Sequence, residues 1–192
     1  DEPEHARGDL ERVVQAGRKA AALTRQLLAV GGQQNMEPSL VKPADFVRAM
    51  KDMVDGLLAD NVELALSVDP AVDKIRVDPD LLERALMNLV INARDAMPHG
   101  GRLVIDVANA ERGGDPRWVR FSVRDTGVGM SPADLERCFR PFEQAAAGKG
   151  RGTGLGLAIV KSIVELHDGQ VSVMSDAEST QFNLTLPQLS AT

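Results

Sequence analysis

The chain has 192 residues, 43% hydrophobic and 26% charged, the balance of a soluble globular protein with one domain and a short appendage. A net charge of −6, no basic tract and few aromatic residues argue against nucleic-acid binding, and no apolar run approaches the ~20 residues that span a bilayer. The single Cys138 excludes an intrachain disulfide and suits a reducing compartment. No signal peptide is visible, and a first residue of Asp1 is expected of a piece of a longer protein, with any anchor or sensor outside it.

Residues 9–30 read as one helix. Leu10, Val14, Gly17, Ala21, Thr24 and Leu28 alternate spacings of four and three, a heptad-like seam suited to a helical bundle. Gly31 and Gly32 end it, and residues 33–38 form a polar linker at the expected domain boundary, dividing the chain into 1–32 and 33–192. A second helix follows Pro43 to about Ala59. Residues 61–68 alternate as a strand with one buried face, and 74–77 form a short strand. Asp78-Pro79-Asp80 opens a long helix to Met97. Residues 102–108 and 118–124 read as strands joined by a glycine-rich hairpin loop at 112–116. Ser131-Pro132 starts a short helix to about Cys138, 140–153 reads as a mobile loop, and a further helix runs to His167. Strands at 170–174 and 181–186 follow. This order predicts an α+β domain, a mixed sheet with its helices on one face in a two-layer α/β sandwich, preceded by one long helix.

Four segments carry chemistry. In residues 88–97 (NLVINARDAM), the helical period puts Leu82, Leu86, Leu89 and Ala93 on an apolar stripe. Asn88, Asn92 and Asp95 fall on a separate polar stripe. Amide oxygens suit Mg²⁺, which keeps waters and bridges substrate phosphates, although a solvated helix face has the same pattern. In DTGVGM (125–130), Asp125 can accept a hydrogen bond from an exocyclic amine while glycines let backbone approach a ligand; alone, it equally describes a tight Asp-Gly turn. In FRPFEQ (139–144), Phe139 and Phe142 supply two of only six aromatic residues and suggest the hinge of a lid, simple packing being the alternative. In GKGRGTGLGLAIV (148–160), five glycines alternate into an apolar helix beside Lys149 and Arg151, a phosphate-binding arrangement that matches neither a P-loop nor a dinucleotide fingerprint.

Together, in this order, the four segments resemble the N, G1, F and G2 boxes of histidine kinases, members of the ATPase superfamily shared with type II topoisomerase and the heat-shock chaperone, over roughly residues 38–187. The resemblance implies a Bergerat-type ATP-binding fold with ATP and Mg²⁺ as cofactors. It makes Asp125 the acceptor for the adenine amino group, with Gly127 and Gly129 lining the base pocket and Met130 and Thr180 among the nucleotide-binding residues. Asn92 becomes the Mg²⁺ ligand, helped by Asn88, with Asp95 on the same stripe. Residues 130–152 become the ATP lid, with Phe142 at its root. Lys149, Gly150, Arg151, Gly152, Thr153, Gly154, Leu155 and Gly156 then approach the phosphates. ALTRQLLAV (22–30) looks like the end of the second helix of the family's dimerisation and phosphotransfer hairpin, a generic amphipathic helix being the alternative.

The resemblance also implies a response-regulator receiver domain as partner and a homodimer in the full-length parent, with no nucleic acid and no membrane contact by this fragment. No histidine has the context of a phosphoacceptor, so no catalytic residue is assigned in this chain. His5 precedes Ala6 in a polar stretch, and His99 lies in a PHGG turn. His167 closes the last helix, where an imidazolium would complement the helix C-terminus. Two rivals are an ATP-hydrolysing member of the superfamily and a non-catalytic adaptor. Against the first, Asn88 stands where such ATPases carry a Glu base, and an amide cannot take a proton from water. Against the second, Asp125, Asn92 and the glycines are intact.

Overall fold

The structure, a computed structural model, describes residues 36–112, 115–144 and 153–188. The chain's contacts divide it after Asn35, so the expected helix over 9–30 lies outside the described residues, as do residues 145–152.

Among the described residues, seven strands and four helices follow in order: β1 (Ser39–Val41), α1 (Pro43–Leu57), β2 (Val62–Val68), β3 (Ile75–Val77), α2 (Pro79–Ala96), β4 (Gly101–Arg112), β5 (Asp115–Asp125), α3 (Pro132–Leu135), α4 (Gly156–Leu166), β6 (Gln170–Ser175) and β7 (Thr180–Pro187). The main sheet has the order β2-β4-β5-β7-β6. β2 runs parallel to β4 and every other pairing is antiparallel, so the sheet is mixed as expected. The parallel pair is possible because α2 supplies the crossover between β2 and β4.

Alternation along the strands sorts the two faces. Leu103, Ile105 and Val107 of β4, Val119, Phe121 and Val123 of β5, and Phe182, Leu184 and Leu186 of β7 are buried beneath the helices. Arg102, Asp106, Arg120 and Arg124 point to the other, open face, where Arg120 pairs with Asp106 at 3.8 Å. From above, α2 contributes Leu82, Leu86, Leu89 and Ala93, and α4 contributes Ile159, Val160 and Ile163. The predicted stripe on α2 is therefore the core-facing one. Burying aliphatic side chains of this size stabilises by roughly 1.5–3 kcal/mol each, which dominates the fold.

Side-chain caps open two of the helices. Asp78 caps α2, its carboxylate accepting from the Asp80 and Leu81 amides, and Pro79 at the first turn loses no hydrogen bond. Ser131 caps α3 by accepting from the Asp134 amide.

Three features differ from the sequence reading. β1 follows the expected linker without having been anticipated; three residues give no readable period, and its partner β3 pairs with it in a separate antiparallel ribbon through Leu40 and Arg76. β4 and β5 extend several residues further into the expected loop, past a register shift between Ala110 and Arg112. α3 stops at Leu135, short of Cys138. Among the described residues no helix is long and apolar enough to cross a membrane.

Candidate nucleotide-binding site

Strand β5 ends at Asp125, whose side chain lies on the helix-covered face with only 3% exposure. Its cross-strand neighbour on β7 is Thr180, also buried. Asp125 Oδ1 accepts the Gly127 amide at 2.9 Å, so the carboxylate holds the turn that follows it while Oδ2 stays outside that turn. Burial pushes the carboxyl up to about 6, opposed by the hydrogen bond from Gly127. The two sequence readings of this segment, tight turn and ligand acceptor, are thus compatible within one residue.

The loop beyond Asp125 is docked on the end of α2. The Val128 amide donates to the Ala96 carbonyl at 3.0 Å, and Gly127 lies so close that a Cβ there would stand 2.5 Å from the same oxygen. Gly129 backs onto the Asp176 carbonyl, where a Cβ has no room. The Met130 amide donates to Ser175 Oγ at 2.9 Å, and that hydroxyl also meets Thr180 Oγ1 at 2.9 Å. Ser175 therefore joins Met130 to Thr180. Sequence reasoning did not single it out; a serine at a strand end carries no signal for such a role.

Going back along α2 from Ala96, Asn92 and Asn88 lie about 6 and 12 Å away at 1.5 Å per residue. Both are half-buried. Asn88 donates from Nδ2 to the Arg84 carbonyl at 3.0 Å, which turns its Oδ1 toward the start of α4. There a Cβ on Gly156 would stand 3.4 Å from Asn88 Oδ1 and 3.9 Å from the Asn92 amide nitrogen. Two of the four sequence segments, far apart in the chain, meet at this point. Asp95, by contrast, is exposed, and Arg94 holds its carboxylate at 2.7 Å.

The third and fourth segments also meet. The Phe142 amide donates to the Gly154 carbonyl at 2.8 Å. Both residues have left-handed backbones, with φ of 66° and 68°, a conformation that costs a phenylalanine but not a glycine. Phe142 is 61% exposed, whereas Phe139 packs edge-on against Phe182 with centroids 6.2 Å apart. Thr153 is half-buried, and the Leu155 side chain lies wholly in the core, leaving only its backbone at the loop. Lys149, Gly150, Arg151 and Gly152 lie outside the described residues. Burial pushes the Cys138 thiol up to about 11, so it is no ready nucleophile.

His167 corrects an expectation. It is buried, Nε2 accepts the Asp78 backbone N–H at 2.9 Å, and Nδ1 donates to the Ile163 carbonyl at 2.7 Å. A nitrogen that accepts from an amide carries no proton. The ring is therefore the neutral tautomer with hydrogen on Nδ1, not an imidazolium facing the helix end.

The arrangement is a buried acid beside a loop docked at one end of α2 and two amides facing a helix N-terminus further along it. The sequence profile described as histidine kinase-, DNA gyrase B- and HSP90-like ATPase matches residues 77–190. The chain is 32% identical over 193 residues to the sensor kinase CckA of Brucella abortus, covering 94% of this chain and 20% of that protein. It is 33% identical over 183 residues to the sensor histidine kinase CusS of Escherichia coli K12, covering 93% of this chain and 37% of that protein. Full-length ShkA, solved in complex with AMPPNP, superposes with a TM-score of 0.77 at 25% identity, covering 92% of this chain and 37% of ShkA. The chain belongs to the histidine kinase-, DNA gyrase B- and HSP90-like ATPase family, and within it to the ATP-binding catalytic domains of sensor histidine kinases. It spans about a fifth to somewhat over a third of the length of these curated relatives.

Proposed function

We propose that this domain binds ATP with its adenine amino group donating to Asp125 and its phosphates between α2 and the N-terminus of α4. The observation that carries the reading is the meeting of Asn88, Asn92 and Gly156 partway along α2, whose C-terminal end holds the loop that follows the buried Asp125. Thr180 and Met130, joined through Ser175, sit on the base side. Backbone amides at the start of α4 and the helix dipole favour the phosphates, with Lys149 and Arg151 adding positive charge from the adjoining segment.

The donor set fits Mg²⁺. Two neutral amides on adjacent turns of α2 offer hard oxygen without excess charge, and a metal held jointly with substrate phosphates needs no carboxylate cage. Asn92, helped by Asn88, would hold the Mg²⁺, which would supply positive charge to offset that of the phosphates.

In the longer protein the γ-phosphate passes to a histidine other than His5, His99 and His167, and then to an aspartate of a response-regulator receiver domain, the protein acting as a homodimer at the cytoplasmic side. His167 has both ring nitrogens engaged inside the domain, which supports its exclusion as acceptor. Transfer to water is disfavoured because Asn88 occupies the base position with its Nδ2 spent on Arg84.

Asp125→Asn tests the reading by calorimetry with Mg²⁺-ATP. Losing a charge-assisted hydrogen bond in a buried pocket costs about 1.5–3 kcal/mol, roughly 10- to 150-fold in affinity. A variant that binds like the wild-type chain overturns the assignment.

A further inference from the structure

Helices α2 and α4 lie antiparallel, and two separate observations fix their register. At one end His167 meets Asp78, and at the other Gly156 meets Asn88. The spans agree: ten residues of α2 rise about 15 Å and eleven of α4 about 16 Å at 1.5 Å per residue. Between the two ends the helices are in contact, and Leu82 and Leu86 on α2 and Ile159 and Ile163 on α4 are buried. Among the described residues, the direct polar tie between α2 and α4 is the one at the His167 end. At the Gly156 end the facing groups are the two amides and backbone that the nucleotide reading assigns to phosphate and metal.

The tie itself is fully specified. His167 cannot drift, because Nδ1 is anchored to its own helix at Ile163 while Nε2 takes the Asp78 N–H. Nor is that N–H replaceable by water, since both residues are buried. Asp78 uses every polar group of its side chain and its N–H: the N–H goes to α4, Oδ1 to the first turn of α2, and Oδ2 accepts the Glu37 amide at 2.9 Å. Glu37 lies just ahead of β1, which pairs with β3 immediately before Asp78. One residue thus joins the segment that enters the domain to both helices of the nucleotide site.

We propose that His167 and Asp78 are positioning residues for nucleotide binding: their hydrogen bond sets the spacing of α2 and α4 at which Asn88, Asn92 and Gly156 engage one phosphate group, and Asp78 Oδ2 extends the constraint to the entry segment at Glu37. This goes beyond the nucleotide-site reading and rests on it. Because coupling is reciprocal, nucleotide must in turn tighten residues 37–41.

The test measures Mg²⁺-AMPPNP affinity by calorimetry, well below the unfolding midpoint, for the whole chain and its His167→Leu, His167→Gln and Asp78→Asn variants. Leu leaves the Asp78 N–H without an acceptor, whereas Gln places an oxygen near the position of Nε2. Asp78→Asn keeps a capping oxygen but presents an amide donor to the Glu37 N–H. His167→Leu is expected to weaken AMPPNP about five- to tenfold, the lower range of coupling between sites, with Gln restoring affinity to within about twofold. Hydrogen exchange at residues 37–41 is expected to slow on AMPPNP binding in the wild-type chain and not in Asp78→Asn. A purely structural role lowers the unfolding midpoint of His167→Leu and leaves its affinity unchanged, which overturns the proposal. Should His167→Leu fail to fold, His167→Asn decides, its shorter side chain leaving the same backbone N–H without an acceptor: weakened AMPPNP supports the proposal and wild-type affinity overturns it. A wild-type chain that binds no nucleotide fails the earlier reading instead, so the two failures are distinct.

Discussion

The domain contains two glycine-bearing loops that look alike in sequence and differ in what their glycines are for. In the loop after β5, the space a side chain would need at Gly127 and Gly129 is filled by the protein itself, by the carbonyls of Ala96 and Asp176. These glycines let two stretches of backbone touch, and the contact holds Asp125 in place. In the loop before α4, Gly156 faces the amides of Asn88 and Asn92 across a gap that tolerates a methyl group at ordinary van der Waals distance. On the proposed reading that space receives phosphate. A glycine-rich loop at a nucleotide site is therefore not one device: one loop builds the pocket wall, the other leaves the pocket open.

Alanine substitutions separate the two roles. The largest effect is expected at Gly129→Ala, where the obstacle is backbone and cannot rotate away. Overpacking of this kind costs about 3 kcal/mol or more, and urea denaturation will show a strongly lowered midpoint or no folded population. Gly156→Ala should reverse the pattern. Its fold is unharmed, because alanine suits a helix start and meets only Asn88 Oδ1 at 3.4 Å. Nucleotide affinity falls instead, by about tenfold, as the methyl takes phosphate space. If Gly156→Ala loses stability and keeps its affinity, the distinction between the loops collapses.

The pH dependence sharpens the wall side. On the proposed reading Asp125 accepts from adenine more strongly as a carboxylate than as the neutral acid, and burial has raised its carboxyl to about 6. Affinity is therefore level above pH 6 and declines below it, by up to about tenfold per pH unit. Subtracting the profile of Asp125→Asn removes the titration of the nucleotide phosphates. The same shift acts on the empty domain with the opposite sign. Between the ordinary carboxyl value and about 6 the folded state holds more protons than the unfolded one, so this group's contribution to stability falls as pH rises through that window. The smallest effect belongs to a glycine outside both loops. Gly56, near the end of α1, has nothing within 4 Å of a prospective Cβ, and Gly56→Ala should stabilise by about 0.5–1 kcal/mol with affinity unchanged.

Much of this was legible in the chain because it is local. The stripe of Leu82, Leu86, Leu89 and Ala93 follows from the helical period, and the cap at Asp78-Pro79 from the chemistry of a helix start. The meeting of Asn88 with Gly156 was approachable only through the order of four segments, since nothing in either segment names the other. What stayed illegible consists of contacts with no residue type to announce them. The Ala96 and Asp176 carbonyls could belong to any residue, β1 is too short to show a period, and Ser175 links Met130 to Thr180 through a common hydroxyl. His167 was visible as a residue but not in its charge state, because only the position of the Asp78 amide decides that its ring is neutral.

The register of β5 with β7 has a consequence for biosynthesis. Asp125 pairs with Thr180, and the strand between β4 and β7 is the middle of the sheet. A nascent chain that has emerged past Asp125 has made this carboxylate but not the strand that pairs beside it. Until β7 appears, β5 presents a row of unsatisfied N–H and C=O groups along a hydrophobic edge, the surface that invites pairing with another chain. The interval between translation of Asp125 and of Thr180 is thus a period of aggregation risk, and ribosome pausing within it should lower the yield of folded domain more than pausing after Pro187.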